Sequence, residues 1–125
     1  MKTRKNKNFF ESFKHASEGI RTVMKEERNM TYHVSFGLMV VLLGFLLKIS
    51  VIEWLFLLFA MSSVLVTEII NTSFENVIDL ITNHQYHEIA KKVKDMAAGA
   101  VLVSAIFAAI IGCLIFLPKL WDLLV

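Results

Sequence analysis

A row of acidic and amide side chains follows an apolar run in the middle of the chain. Glu68 comes two residues after an apolar stretch at positions 54–66. A carboxylate inside or just beneath a membrane is costly, and such residues are commonly functional. At about 100° per residue, the polar residues that share one arc of roughly 100° with Glu68 are Asn71, Thr72, Glu75 and Asp79. The spacing predicts a helix that carries acids in a line from hydrocarbon out to water.

The composition indicates the class of protein that positions this row. The chain has 125 residues, of which 56% are hydrophobic, and its mean hydropathy is +0.61. Soluble domains of this length seldom reach such values. Eight of the 13 Lys and Arg residues precede Thr31, and a basic segment beside a hydrophobic chain favours anionic lipid over nucleic acid as a partner. We therefore expect one all-α, integral membrane domain over residues 1–125, with no nucleic-acid partner.

The periodicity of the sequence divides the chain into four helical segments. Residues 1–30 contain an amphipathic pattern that suits a helix lying on the membrane surface. Glu27 falls on the apolar stripe of this pattern, either as part of a fraying helix end or as a placed ligand. The segments predicted to cross the membrane are 31–49, 53–81 and 89–121. The excess of basic residues in the N-terminal segment and in the second link predicts a cytoplasmic N-terminus and an external C-terminus.

Helix geometry predicts the depth of the polar residues. A hydrocarbon layer about 30 Å thick and a rise of about 1.5 Å per residue place Glu75 at the cytoplasmic interface when the second span begins at Trp54. Glu68 is then roughly 10 Å deeper. Glu27 precedes the first span, and Lys94 and Asp95 lie just before the charge-free run at 96–117 of the third, so these three residues are expected in the same layer as Glu75.

These residue types at these depths fit phosphoryl transfer. Two carboxylates in one layer, Glu27 and Glu75, can hold Mg²⁺, which often takes further ligands from a nucleotide phosphate. Lys94 is a point charge suited to phosphate. Glu68 is placed to accept the proton of a hydroxyl that a lipid presents near the surface. The expected reaction is transfer of a phosphoryl group from a water-soluble donor to a membrane alcohol.

Other interpretations remain open at this point. Glu75 and Asp79 can be the solvated end of a helix, and the lysines of the second link can act only as topology signals. A small proton-coupled transporter would use Glu68 as its carrier site, but this gives no reason for the surface charges. A membrane scaffold that recruits partners through its basic helix would leave Glu68 unexplained.

Two long motifs and one short tract resemble a known family. They are EIINTSFENVID at 68–79, AKKVKDMAAGAV at 90–101 and EERN at 26–29. The first two resemble the small prokaryotic diacylglycerol kinase family, and the similarity covers nearly the whole chain. The tract at 26–29 is similar to the Gram-positive branch, whose members act mainly as undecaprenol kinases. The resemblance implies a plasma-membrane homotrimer with shared active sites that uses MgATP.

The resemblance also implies roles for individual residues. Glu68 would be the general base, with Asn71 helping to order the site, and Glu27 and Glu75 would bind the metal. Ala98 would join Glu68 in binding the lipid. The residues implied in nucleotide binding are Lys94, Asp95, Gln85, Tyr86, His87 and His15. His15 departs from the family pattern, because an aromatic tyrosine is frequent at its position.

The expected function is transfer of the γ-phosphate of ATP to undecaprenol. Diacylglycerol is the alternative acceptor. The sequence does not decide between the two lipids, because both present a hydroxyl at the interface and no residue measures the length of a hydrocarbon tail.

Overall fold

The structure is a computed structural model that describes residues 8–125. Over these residues the protein is a bundle of four helices. The helices are α1 (Phe9–Glu26), α2 (Arg28–Leu46), α3 (Val51–Thr82) and α4 (Glu88–Leu124). Residues 8–125 contain no strand, so the all-α prediction is confirmed. Residues 1–7 of the predicted surface segment lie outside the described residues.

The short helix α1 has the two-sided character expected at a membrane surface. Asn8 caps its first turn, where the side chain accepts a hydrogen bond from the Glu11 amide at 2.9 Å. Phe9 and Phe13 are exposed, whereas Val23 is buried against the bundle. An exposed apolar stripe on an amphipathic helix suits the boundary between headgroups and hydrocarbon.

Three helices are long and apolar enough to cross a membrane, as the sequence predicts. Helix α2 begins at Arg28 rather than residue 31, because the chain breaks its helical path only at Glu27. Helix α4 continues through Pro118 and ends at Leu124, three residues past the predicted end. Most large apolar side chains on the outer faces of these helices are exposed, which is the state expected for residues that contact lipid.

The turn between α2 and α3 is closed by local hydrogen bonds and by close packing. Ser50 and Glu53 form a reciprocal capping box at the start of α3. Glu53 also pairs with Lys119 of α4 at 3.2 Å. A Cβ atom on Gly44 would lie 2.8 Å from the Trp54 ring, so only glycine permits this approach. These contacts fix the end of the bundle opposite the polar row.

The core of the bundle lies mainly between α3 and α4, which form its largest packing contact. Its buried members are Ile49, Leu57, Ile115 and Phe116. Helix α2 packs on α3, and α1 touches both α2 and α3 near their polar ends. Helix α3 is therefore the central element of the bundle. It contains the polar row and contacts the other three helices.

Candidate functional site

Glu68 lies on the buried face of α3, with only 2% of its surface exposed. Residues at helical spacing on the same face, Ala60, Val64 and Thr72, are buried as well. The Thr72 hydroxyl donates to the Glu68 backbone carbonyl at 3.0 Å. The Glu68 carboxylate has no hydrogen-bond partner for its buried Oε1 atom. A desolvated carboxylate with a free oxygen is equipped to accept a proton.

Asn71 and Glu75 continue the same face towards the end of α3. The Asn71 amide Nδ2 donates to Glu75 Oε1 at 3.4 Å, a long hydrogen bond. Asn71 Oδ1 is buried without a partner. An unsatisfied buried oxygen is costly, so Asn71 Oδ1 is free to accept a hydrogen bond from a bound group.

Glu27 occupies the break between α1 and α2 in an extended conformation. Burial raises the pKa of its carboxyl group, and the neighbouring carboxylate of Glu75 raises it further through charge and a side-chain hydrogen bond. The charge of Glu68 acts in the same direction. Glu26 accepts a hydrogen bond from Asn76 Nδ2 at 3.2 Å, which holds this break against α3. Glu27 therefore ends α1 in an ordered, extended conformation rather than as a fraying end, and its role as a placed ligand stays a prediction.

Glu27, Glu68 and Glu75 are called the carboxylate cluster below. Within residues 8–125, no three His, Cys, Asp or Glu side chains are grouped closely enough to hold a metal ion without other ligands. The adjacent pair Glu27 and Glu75 nevertheless fits Mg²⁺, which is commonly held by one or two carboxylates together with waters and substrate phosphates. Like charges forced together also favour a cation between them.

A second polar region lies between α3 and α4 and is called the ion-paired cavity. It has a volume of about 440 Å³. Lys94 Nζ lies 2.5 Å from Asp79 Oδ1, and Lys91 Nζ lies 2.6 Å from Asp95 Oδ2. Gln85, Tyr86 and His87 line the same cavity, where the chain turns from α3 into α4. This cavity gathers most of the residues that the resemblance assigns to the nucleotide.

The structure places the remaining predicted residues apart from both regions. His15 is exposed on α1, where its Nδ1 lies 3.3 Å from Glu18 Oε2. Ala98 is exposed on α4 and lines neither the cavity nor the apolar groove described next. Within residues 8–125, no hydrogen bond or ion pair joins the carboxylate cluster to the ion-paired cavity.

An apolar groove of about 530 Å³ lies between α2, α3 and α4. Most of its lining is aliphatic, and the small alanine and glycine residues of α4 leave room for it. His33 of α2 also lines it, and the sequence reasoning gave that residue no role. Its Nε2 atom lies 3.7 Å from Glu68 Oε2. The signal available in the sequence was a single ionisable side chain inside a predicted span.

Comparison with known proteins identifies the class. A family model described as prokaryotic diacylglycerol kinase matches residues 14–116. The chain therefore belongs to this family of membrane lipid kinases, and the resemblance drawn from the motifs at 68–79 and 90–101 is confirmed. ATP is the co-substrate that a kinase of this family implies.

Individual relatives carry two different substrate names. The undecaprenol kinase of Bacillus subtilis is 45% identical over 112 residues, which covers 90% of this chain and 90% of the relative. The diacylglycerol kinase of Synechocystis is 38% identical, covering 94% of this chain and 67% of the relative. The diacylglycerol kinase of Escherichia coli is 33% identical, covering 78% of this chain and 80% of the relative.

Proposed function

We propose that this lipid kinase transfers the γ-phosphate of ATP to undecaprenol. The observation that carries the chemistry is the buried Glu68 carboxylate with a free oxygen, about 10 Å along α3 from the carboxylate of Glu75. The identity of 45% to an undecaprenol kinase, against 38% and 33% to two diacylglycerol kinases, favours the prenol as acceptor.

The proposed step balances with the residues of this chain. Glu68 Oε1 accepts the proton of the lipid hydroxyl. The hydroxyl oxygen of the lipid then forms a new bond to the γ-phosphorus. The bond from that phosphorus to the bridging oxygen of the β-phosphate breaks, and its electron pair leaves with ADP. Glu68 then returns the proton to water. Asn71 orders the reacting groups near Glu68.

Glu27 and Glu75 would hold Mg²⁺ on the phosphates. The ion would supply neutralisation of the charge that develops on the transferred group. The adjacency of the two carboxylates and the raised pKa of Glu27 support this assignment, because a cation relieves their mutual repulsion.

The ion-paired cavity is proposed as the nucleotide site, with Lys94 binding phosphate. Asp95, Gln85, Tyr86 and His87 line the same space and would complete it, and His15 would approach from the surface helix. Since the cavity and the carboxylate cluster have no direct polar contact within residues 8–125, we propose a homotrimer in which the cavity of one subunit faces the cluster of another.

The membrane placement follows the charge distribution. The proposed location is the bacterial plasma membrane, with the N-terminus in the cytoplasm and the C-terminus outside. This orientation puts both polar regions on the side where ATP is available, and it satisfies the tendency of basic segments to remain cytoplasmic.

A phosphate-transfer assay tests the function. Purified protein with Mg²⁺ and ATP should phosphorylate undecaprenol in preference to diacylglycerol when both lipids are offered together. Asp122→Asn, an exposed change near the end of α4, serves as the matched control and should retain full turnover. Preferential labelling of diacylglycerol would assign this chain to the alternative acceptor, and transfer to neither lipid would refute the proposal.

A mixing experiment tests the shared site. Glu68→Gln and Lys94→Met subunits, each inactive or weak alone, should recover activity when they are assembled together, because some composite sites then hold neither change. Recovery is expected only for mixed assemblies. If mixing gives no more activity than the sum of the separate variants, each subunit contains a complete site and the composite arrangement is wrong.

A further inference from the structure

His33 is the polar exception in an otherwise apolar groove. Apart from the thiol of Cys113, every other side chain that lines the groove is hydrocarbon, thioether or glycine. Since α2 rises about 1.5 Å per residue, the groove runs along roughly 15 Å of this helix, from His33 to Leu43. The imidazole therefore stands at the end of the groove that lies nearest to Glu68.

The contact between His33 and Glu68 leaves the two carboxylate oxygens in different states. His33 Nε2 lies 3.7 Å from Oε2, whereas Oε1 is buried without a partner. The Glu68 side chain is 3% exposed and the His33 side chain 29%. The His33 imidazole thus both lines the groove and contacts the Glu68 carboxylate.

Resting on the proposed function, we propose that His33 is a positioning residue for Glu68. Its Nε2–H group donates to Oε2 in the complex with the lipid, and this directs Oε1 towards the hydroxyl of an alcohol whose hydrocarbon tail approaches along the groove. The distance of 3.7 Å is slightly longer than a hydrogen bond. Catalytic hydrogen bonds often tighten only when the substrate is bound.

The charges that face His33 make this role specific. Glu68 is the one carboxylate with which His33 forms an ion-pair contact within residues 8–125. The other groove neighbours offer no competing acceptor side chain. A histidine that only filled space would tolerate an apolar replacement of similar size, whereas a positioning histidine would require a side-chain donor.

Two substitutions separate positioning from packing. His33→Leu removes the donor, and we expect kcat with undecaprenol to fall about 10- to 100-fold, since small misplacements of reacting groups have effects of this size. His33→Gln places an amide donor near the position of Nε2 and should recover kcat to within about threefold of the unmodified protein, on the basis of the retained hydrogen bond. The KM for MgATP should stay unchanged in both variants.

The matched control is Ser35→Ala, an exposed polar position on the same helix, which should leave kcat unchanged. Thermal unfolding of all variants checks that they fold. A further readout is the Glu68→Gln background, in which His33→Leu should cause no additional loss, because residues that act as one unit are not additive.

The outcomes distinguish this inference from the proposed function. If Glu68→Gln lacks activity while His33→Leu has normal kcat, only the role of His33 is refuted. Equal losses in folded His33→Leu and His33→Gln would also overturn it, because the donor would then be irrelevant. If Glu68→Gln turns over normally, the base assignment itself fails.

Discussion

The carboxylate cluster and the ion-paired cavity differ in whether their carboxylates are paired with cationic side chains. The cluster brings the charges of Glu27, Glu68 and Glu75 together and leaves the buried Oε1 atom of Glu68 without a partner. The cavity pairs Asp79 with Lys94 and Lys91 with Asp95. One region therefore contains a buried acceptor without a partner, whereas in the other the lysines are already paired with aspartates.

The difference indicates what each region must do when it binds. A cation or a proton can enter the cluster and relieve repulsion there. A phosphate that enters the cavity has to exchange with carboxylates that already hold the lysines. We infer that the cluster favours metal and proton transfer, whereas the cavity favours reversible binding of an anion.

The largest expected effect separates the two regions directly. Glu68→Gln keeps the shape of the side chain but cannot accept the hydroxyl proton, so kcat should fall by about 10²–10⁴-fold. Asp79→Asn, the comparable change in the cavity, should leave more activity, because it removes a partner of Lys94 and not the base. Steady-state kinetics with undecaprenol measures both. A smaller loss in Glu68→Gln than in Asp79→Asn would reverse the comparison.

A second prediction sharpens the role of the cavity. Lys94→Met removes the charge proposed for phosphate and should raise the KM for ATP about tenfold, which corresponds to the loss of one charged hydrogen bond. Lys92→Met is the control, because Lys92 pairs with Glu88 outside the cavity lining. Titration of ATP at saturating lipid gives the measurement. An unchanged KM in Lys94→Met would remove that lysine from the nucleotide site.

The raised pKa of Glu27 predicts a pH dependence in the cluster. As pH falls, Glu27 takes up a proton at a higher pH than an ordinary glutamate, and a protonated ligand binds Mg²⁺ poorly. The Mg²⁺ concentration for half activation should therefore rise on acidification. The rise should begin at a pH above the usual pKa range of a glutamate. Glu27→Gln should weaken activation and remove this dependence.

The same pKa fixes the sign of the effect on folding without metal. A folded-state pKa above the unfolded value stabilises the protein at low pH, and this contribution is lost as pH rises through the folded pKa. Thermal unfolding in the presence of a chelator should show the stability of the unmodified protein declining as pH rises from the unfolded-state pKa of Glu27 through its folded-state pKa. The decline should be weaker in Glu27→Gln. An identical pH profile in the two proteins contradicts the assignment.

The smallest expected effect lies at the opposite end of the bundle. Lys119→Met breaks the pair with Glu53, which is about 30% exposed on each side. Ion pairs at the surface contribute little to stability, so stability should drop slightly while kcat and both KM values stay unchanged. Chemical unfolding and the lipid assay give these values. A large loss of activity would show that the two ends of the bundle are coupled.

The hydropathy and spacing of residues along the sequence predicted much of the helical architecture. The long apolar runs predicted three membrane helices because backbone groups in lipid must bond within the segment. The spacing of Glu68, Asn71 and Glu75 predicted one polar face on α3, and the structure places these residues on it. The boundaries were less accurate at Glu27, where one residue adopts an extended conformation, and at the end of α4, which continues to Leu124 instead of 121.

The sequence by itself determined that acids line one helix from the hydrocarbon to the surface, because helical period and hydropathy are local properties. Only the tertiary structure decided their partners. It set His33 beside Glu68, brought Glu27 against Glu75 and paired Lys94 with Asp79. These contacts depend on how α2 and α4 pack on α3, and helix packing is fixed by side-chain shape across distant segments rather than by spacing along one segment.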